Sequence, residues 1–207
     1  MEVVARRIPA RFGLDPRRDV QVLALMHRGP AGAAALNTAL QDAITPAHPG
    51  VAERRFGGRV FRVGDKVSQI RNNYDKGAHG VFNGTQGVVT DVDVDDATLT
   101  VRTEDEEDIG YDFGELDELT HAYAVTVHRA QGSEYPCVVI PITTSSWMML
   151  QRNLLYTAVT RAKQLVVLVG STKAIGQAVR VTGAGRRHTA LDHRLAERTN
   201  HRSSRPN

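Results

Sequence analysis

The stretch 153–170, NLLYTAVTRAKQLVVLVG, decides the fold class. Its first half places Leu154, Leu155, Ala158, Val159 and Ala162 on one stripe about 140° wide at helical spacing. Its second half, QLVVLVG, is an unbroken apolar run of the kind that a parallel sheet buries on both faces. The spacing predicts a helix over 150–163 that leads directly into a buried strand. Arg161 falls in the last turn, at the edge of the stripe. A guanidinium there either projects from a packed boundary into a cleft or lies on the surface with its stem over apolar neighbours.

The same alternation recurs on both sides of this stretch. VQVLALM (20–26) reads as a short strand stopped by Gly29-Pro30, and AGAAALNTALQDAI (31–44) as a helix with Leu36, Ala39, Leu40 and Ala43 in phase. AYAVTVHRAQG (122–132) is a strand entering a polar loop, PCVVIPI (136–142) is another buried strand, and STKAIGQAVR (171–180) opens on a Ser cap. The middle of the chain changes period. After GDKVSQI (64–70) comes a Gly- and Asn-rich loop with the turn pair Asn83-Gly84. GVVTDVDV and ATLTVRT then alternate around Asp95-Asp96 as a hairpin with one wet face. Residues 104–108 form a charged turn, and IGYDF (109–113) a further edge strand.

These patterns give an α/β chain, a parallel sheet with flanking helices, interrupted by a small β-barrel. The expected division is 1–82 and 120–198 for the two parts of the α/β layer and 83–119 for the β insertion. A disordered basic tail is expected at 199–207, with a short helix before it in HTALDHRLAER (188–198).

Composition bounds the function classes. Of 207 residues, 41% are hydrophobic and 24% charged, enough for a real core. Cys137 is the only cysteine and sits in an apolar run, so it reads as a small buried hydrophobe and excludes an internal disulfide. No apolar run is long enough to span a membrane, and the expected setting is soluble and cytoplasmic. Residues 91–118 hold thirteen acids against Arg102 alone, a local charge of −12 that leaves +15 for the rest of a chain whose net is +3. One segment would repel phosphate while the body around it attracts it.

The loop TVHRAQGSEYP (126–136) joins two strands and gathers Thr126, His128, Arg129, Gln131, Ser133 and Glu134, with Gly132 free to turn tightly. In open parallel sheets ligands gather at strand ends. AYAVTVHRAQGSEYPCVVI (122–140) followed by LLYTAVTRAKQLVVLVG (154–170) resembles the last motifs of superfamily 1 DNA helicases, in the RecD-like branch with a UvrD-type C-terminal domain. QVLALMHRGPAGAAALN (21–37) resembles the opening of that branch's second motor domain, although Leu25 stands where the branch tends to carry proline. GDKVSQIRNNYDKGAHGVFNGTQG (64–87) resembles its approach to an SH3-like barrel.

The resemblance implies a RecA-like second motor domain and roles for single residues. Arg161 is expected as the arginine finger on the γ-phosphate of ATP, and Arg28 as a second phosphate-sensing arginine. Glu134 is expected near the ribose or the motor-domain interface, and Gln131 and Gly132 are expected with it among the cofactor-binding residues. Thr126 and His128 are expected on the backbone of a single DNA strand, with Asn72 and Asn73 as further contacts. ATP with Mg²⁺ and single-stranded DNA are the implied ligands.

A motor also needs GxxxxGK[ST] and an acidic Mg²⁺ ligand. GPAGAAAL (29–36) has no Lys-Ser/Thr, and GGRVFRVGDK (57–66) runs in the wrong order. The expected partner is therefore a RecA-like domain carrying Walker A and B, in cis or in trans, and the isolated chain is expected not to turn over. The alternatives are a fragment of a full helicase, one part of a split motor, and a non-catalytic nucleic-acid-binding module. A hydrolase built on Ser133, His128 and Glu134 lacks a GxSxG elbow, and the scattered histidines show no metal-ligand spacing.

Overall fold

The structure, a computed structural model, describes residues 1–182. The expected helix at 188–198 and the tail 199–207 lie outside the described residues. After a helical lead-in over Val3–Arg7 the order is α1 (Ile8–Phe12), β1 (Val20–Ala24), α2 (Ala33–Ile44), β2 (Glu53–Phe56), β3 (Arg59–Arg62), β4 (Lys66–Gln69) and β5 (Gln86–Asp93). Then come β6 (Thr98–Thr103), β7 (Asp108–Asp112), β8 (Leu119–His121), β9 (Ala124–Thr126), β10 (Tyr135–Ile142), α3 (Arg152–Val159), β11 (Ala162–Gly170) and α4 (Thr172–Arg180).

Four parallel strands form the α/β layer in the order β11-β10-β1-β9, with Val22 beside Val139 on one side and Ala124 on the other. Alternate residues of each central strand serve opposite faces. Val20, Val22 and Ala24 pack with Cys137 and Val139 under α1 and α2, where Ile8 and Leu40 meet them. Leu23, Leu25, Val138 and Ile140 pack on the other face against Leu154 and Ala158 of α3 and Ala174 and Ala178 of α4. Burial on both faces explains why these strands read as continuous apolar runs. Each fully buried aliphatic side chain contributes roughly 2 kcal/mol. Helices of eight or nine residues are therefore held by this packing, being too short to persist alone.

Two expectations change. The helix predicted over 150–163 is shorter and ends at Val159, so Arg161 stands in a two-residue turn before β11. The strand expected to be buried on both faces, β11, is an outer strand of the sheet and pairs only with β10, and its Leu168 and Val169 are exposed.

The β insertion is a five-stranded antiparallel sheet ordered β7-β6-β5-β4-β8, beside the β2–β3 ribbon. It reaches back to Lys66 and forward to His121, on either side of the 83–119 span read from the sequence. The expected hairpin is β5–β6, with Asp93 opposite Thr98 and the Asp93 carboxylate accepting from the backbone of Asp95 and Asp96 at 2.9 Å. Phe61, Val67, Val89, Leu99, Ile109 and Leu116 fill its interior. Asp65, fully buried, ties insertion to layer. It accepts from the Tyr123 hydroxyl at 2.8 Å, from Gln41 Nε2 at 2.7 Å and from the Arg62 amide at 2.8 Å, with His121 Nε2 at 3.3 Å. Burial, with Asp65 beside it, pushes the Tyr123 phenol well above its usual range.

Candidate functional site

The sheet presents two edges with different chemistry. At the amino-terminal edge of β10 and β11, the Arg161 carbonyl accepts from the Tyr135 amide at 2.8 Å, so its backbone is fixed by the strand ladder. Its guanidinium is half-buried and folds back across the loop before β10. It donates to Ser133 O at 3.2 Å, Thr157 O at 3.3 Å and Thr160 Oγ1 at 3.4 Å. All three bonds are long, all three acceptors are neutral, and no carboxylate among the described residues pairs with it. Glu134 is exposed on the same edge, with Lys163 Nζ 3.9 Å away. Gln131 and Gly132 are exposed in the preceding turn, where Gly132 has φ +89°, a conformation that disfavours any side chain.

At the carboxyl-terminal edge, Ala24 of β1 pairs with Thr126 of β9, and the Val127 amide donates to Ala24 O at 3.0 Å. Thr126 Oγ1 accepts from the Arg129 amide, and His128 is exposed beside it. His27 and Arg28 emerge from the end of β1 at this same edge. Counting along the ladder, Arg161 and the end of β1 lie roughly 20 Å apart at 3.3 Å per residue, and Arg28 lies further on. Arg28 follows the end of β1 at the edge that also holds Thr126 and His128.

The loop between β4 and β5 holds Asn72 and Asn73. Asn73 Nδ2 donates to both oxygens of Glu118 at 3.1 Å, and its backbone pairs with Val81. Burial opposes ionisation of Glu118, but donors from Asn73, Gln69 and Arg71 outweigh it and hold the carboxyl below its usual range. Asn73 is thus committed to bracing the loop. Asn72 is exposed, with Oδ1 accepting from the Asn83 amide at 2.9 Å and Nδ2 donating to the Tyr74 hydroxyl at 3.2 Å. The brace displays a feature that the sequence reading passed over. Tyr74 and Phe82, 72% and 48% exposed, meet edge to face with ring centroids 6.0 Å apart. Two aromatics within a Gly- and Asn-rich polar loop were the available signal. Arg129 was also passed over as a linker. Its Nη2 donates to Ser68 Oγ and Gln69 O of β4, joining the polar loop to the insertion.

No hydrogen bond joins His128, Ser133 and Glu134 among the described residues, and no group of three potential metal ligands gathers among them. No helix among them is long and apolar enough to cross a membrane.

Comparison with known proteins follows this division. A family model for the UvrD-like helicase C-terminal domain matches residues 121–169, and one for the ATP-dependent RecD-like DNA helicase SH3 domain matches 36–102. The chain is 41% identical over 155 residues to the ATP-dependent RecD2 DNA helicase of Deinococcus radiodurans, covering 75% of this chain and 20% of that protein. It is 32% identical over 180 residues to the RecBCD enzyme subunit RecD of Mycolicibacterium smegmatis, covering 84% of this chain and 29% of that one. The chain therefore spans less than a third of either relative. Among solved structures, Pif1 helicase from Bacteroides in complex with ADP-AlF3 and ssDNA matches with a TM-score of 0.59 at 16% identity, covering 95% of this chain and 49% of that one. Pif1 helicase from Candida albicans matches at 0.54 and 15%, covering 96% and 52%. At these identities the structural likeness concerns the fold: a RecA-like layer with an SH3-like insertion.

Proposed function

The chain carries the C-terminal region of a RecD-like superfamily 1 helicase, and on that premise we propose that it works as the second motor domain of an ATP-driven DNA helicase. Its amino-terminal edge completes a nucleotide site whose other wall is a RecA-like domain bearing Walker A and B motifs. The observation that carries this reading is the Arg161 guanidinium. It is half-buried at a rim, held by three long bonds to neutral oxygens, and unpaired with any acid among the described residues. A planar, permanent cation held so loosely is suited to leave those bonds for a phosphate in which charge is developing. Glu134 stands on the same edge for the ribose, with Gln131 and Gly132 shaping the turn beside it. The described residues offer no acidic cluster for Mg²⁺, so the ion accompanying ATP is assigned to the Walker-bearing wall.

Single-stranded DNA is assigned to the carboxyl-terminal edge. Thr126, His128 and Arg28 would contact its backbone, while Asn72 and the Tyr74–Phe82 pair would meet it from the insertion. The segment 126–134 runs from the DNA edge to the nucleotide edge and would be the link between the two.

The test is reconstitution. The purified chain is mixed with a RecA-like domain carrying Walker A and B, and DNA-stimulated ATP hydrolysis is measured. Turnover is expected only with both parts present. Arg161→Ala is expected to lower kcat by about 10³-fold with little change in DNA affinity. Hydrolysis by the chain alone, or an Arg161→Ala protein with unchanged kcat, would refute the assignment. DNA binding without turnover in every combination would favour a non-catalytic nucleic-acid-binding module.

A further inference from the structure

Between the amino-terminal edge of the parallel sheet and the β5–β6 ribbon lies a cleft of 260 Å³. Arg161 is not part of its wall, so the cleft lies beside the proposed nucleotide contact of Arg161, and Glu134 borders both. Five cations line it: Arg17, Arg18, Lys66, Arg102 and Lys163. Three of these have acids of their own. Arg18 pairs with Glu106 at 2.9 Å, Arg102 with Asp108 at 2.7 Å, and Lys163 lies 3.9 Å from Glu134.

The other two cations have no such partner among the described residues. Lys66 is 2% exposed, and its ammonium has three donors but a single acceptor, Val20 O at 3.3 Å. The Tyr135 ring centroid lies 5.8 Å from Nζ, which adds a weakly attractive face but no formal charge. Arg17 extends along Gly64, where φ is +91°. A Cβ at that glycine would approach the Arg17 guanidinium to 3.0 Å, so the bare backbone makes room for it. A desolvated ammonium with unused donors is costly unless an anion joins it. An exposed guanidinium on the same wall supplies a planar pair of donors for an oxyanion.

We propose that this cleft is a binding site for a phosphate-class oxyanion, with Lys66 as the buried contact and Arg17 as the contact at the mouth. Glu104 also lines the cleft and lies outside ion-pair distance of Lys66, so it competes with an incoming anion for the same field. The chemistry is common to two sources, a free phosphate compound and a nucleic-acid backbone, and the experiment separates them.

Inorganic pyrophosphate is titrated into the whole chain by calorimetry at pH 7 and pH 9, and again in the presence of a twelve-residue oligothymidylate. Saturable binding is expected at pH 7. It should weaken at pH 9, because burial lowers the Lys66 pKa to about 8 against the opposing pull of Glu104, Asp19 and Asp15. Arg17, Arg18, Arg102, Lys163, Glu106, Glu134 and Tyr135 also face the cleft. Lys66→Met should lower affinity at least tenfold, Arg17→Gln severalfold, and Glu104→Gln should raise it. Displacement of pyrophosphate by the oligonucleotide supports the site with a DNA backbone as its source. Failure to displace supports it with a free phosphate compound. Arg17 is exposed, so Arg17→Gln decides the matter if Lys66→Met does not fold. Absence of saturable binding, or equal affinity in the wild type and Arg17→Gln, overturns the proposal.

Discussion

Lys66 enters the interior with a full ammonium and a single carbonyl to receive its protons. Burial brings its pKa from 10.5 to about 8, so the unfolded chain binds that proton more tightly than the folded one. Stability therefore rises with pH through the window from about 8 to 10.5, and at pH 7 the buried charge costs roughly 3 kcal/mol. Lys66→Met keeps the length of the side chain and removes the charge. It is expected to stabilise the protein at pH 7, and the advantage should shrink as pH approaches 10.5. Urea denaturation at both pH values reads the difference, and a variant less stable than wild type at pH 7 would contradict it. Lys66 was not legible as special in the sequence, because its burial depends on Val20, 46 residues away. The surroundings of Arg161 and Glu134 were legible because their neighbours in space are neighbours in the chain: Thr157, Thr160, Ser133 and Lys163 all belong to the two motifs. The edge on which Arg28 stands was not legible, for the opposite reason. Which edge of a sheet a residue occupies is a property of strand register, and local spacing does not carry it.

Elements show the same split between local and distant determinants. The β5–β6 hairpin was readable because alternation and a tight acidic turn lie within one short stretch, and the helix α2 because its apolar spacing is self-contained. The position of β11 was not, since an outer strand with the sequence LVVLV looks like a central one until the pairing order is known. The reach of the insertion was hidden likewise. Pairing of Gln69 with Leu119 and of Val67 with His121 joins segments about fifty residues apart, and no local pattern announces it. This pairing bears on excision of the insertion. Removing residues 83–119 would take away β5, β6 and β7, leaving β4 with only the remainder of β8 and uncovering Phe61 and Val67, both fully buried. Asp65 lies next to that exposed surface and still has to hold Tyr123, Gln41 and His121. The shortened chain is expected to lose cooperative thermal unfolding. A sharp calorimetric transition together with wild-type far-UV circular dichroism would show that the α/β layer stands without the β5–β7 unit.

Charge is distributed across the whole molecule so that binding and repulsion are separated. The segment 91–118 carries −12, and several of its acids are already engaged by cations from outside it: Glu106 by Arg18, Glu115 by Lys76, and Asp117 and Glu118 by Arg71. Those pairs offset part of the acidic charge, while His27, Arg28, His128 and the Tyr74–Phe82 pair remain exposed. A strand of DNA drawn to the basic body would thus be steered away from the β6–β7 side and toward the carboxyl-terminal edge of the sheet. Two components of affinity follow. Phosphate contacts release counterions, so affinity should fall steeply between about 50 and about 300 mM salt. Base stacking on an exposed ring contributes roughly 1–3 kcal/mol per base and is far less sensitive to salt. Tyr74→Ala is therefore expected to weaken oligothymidylate binding severalfold or more at every salt concentration, leaving the slope of log affinity against log salt unchanged. Arg28→Gln should lower affinity and flatten that slope. Fluorescence anisotropy across a salt series distinguishes the two. Equal wild-type affinity at both ends of the series would refute backbone contact at this edge, and a Tyr74→Ala protein that binds like wild type would refute stacking on the insertion loop.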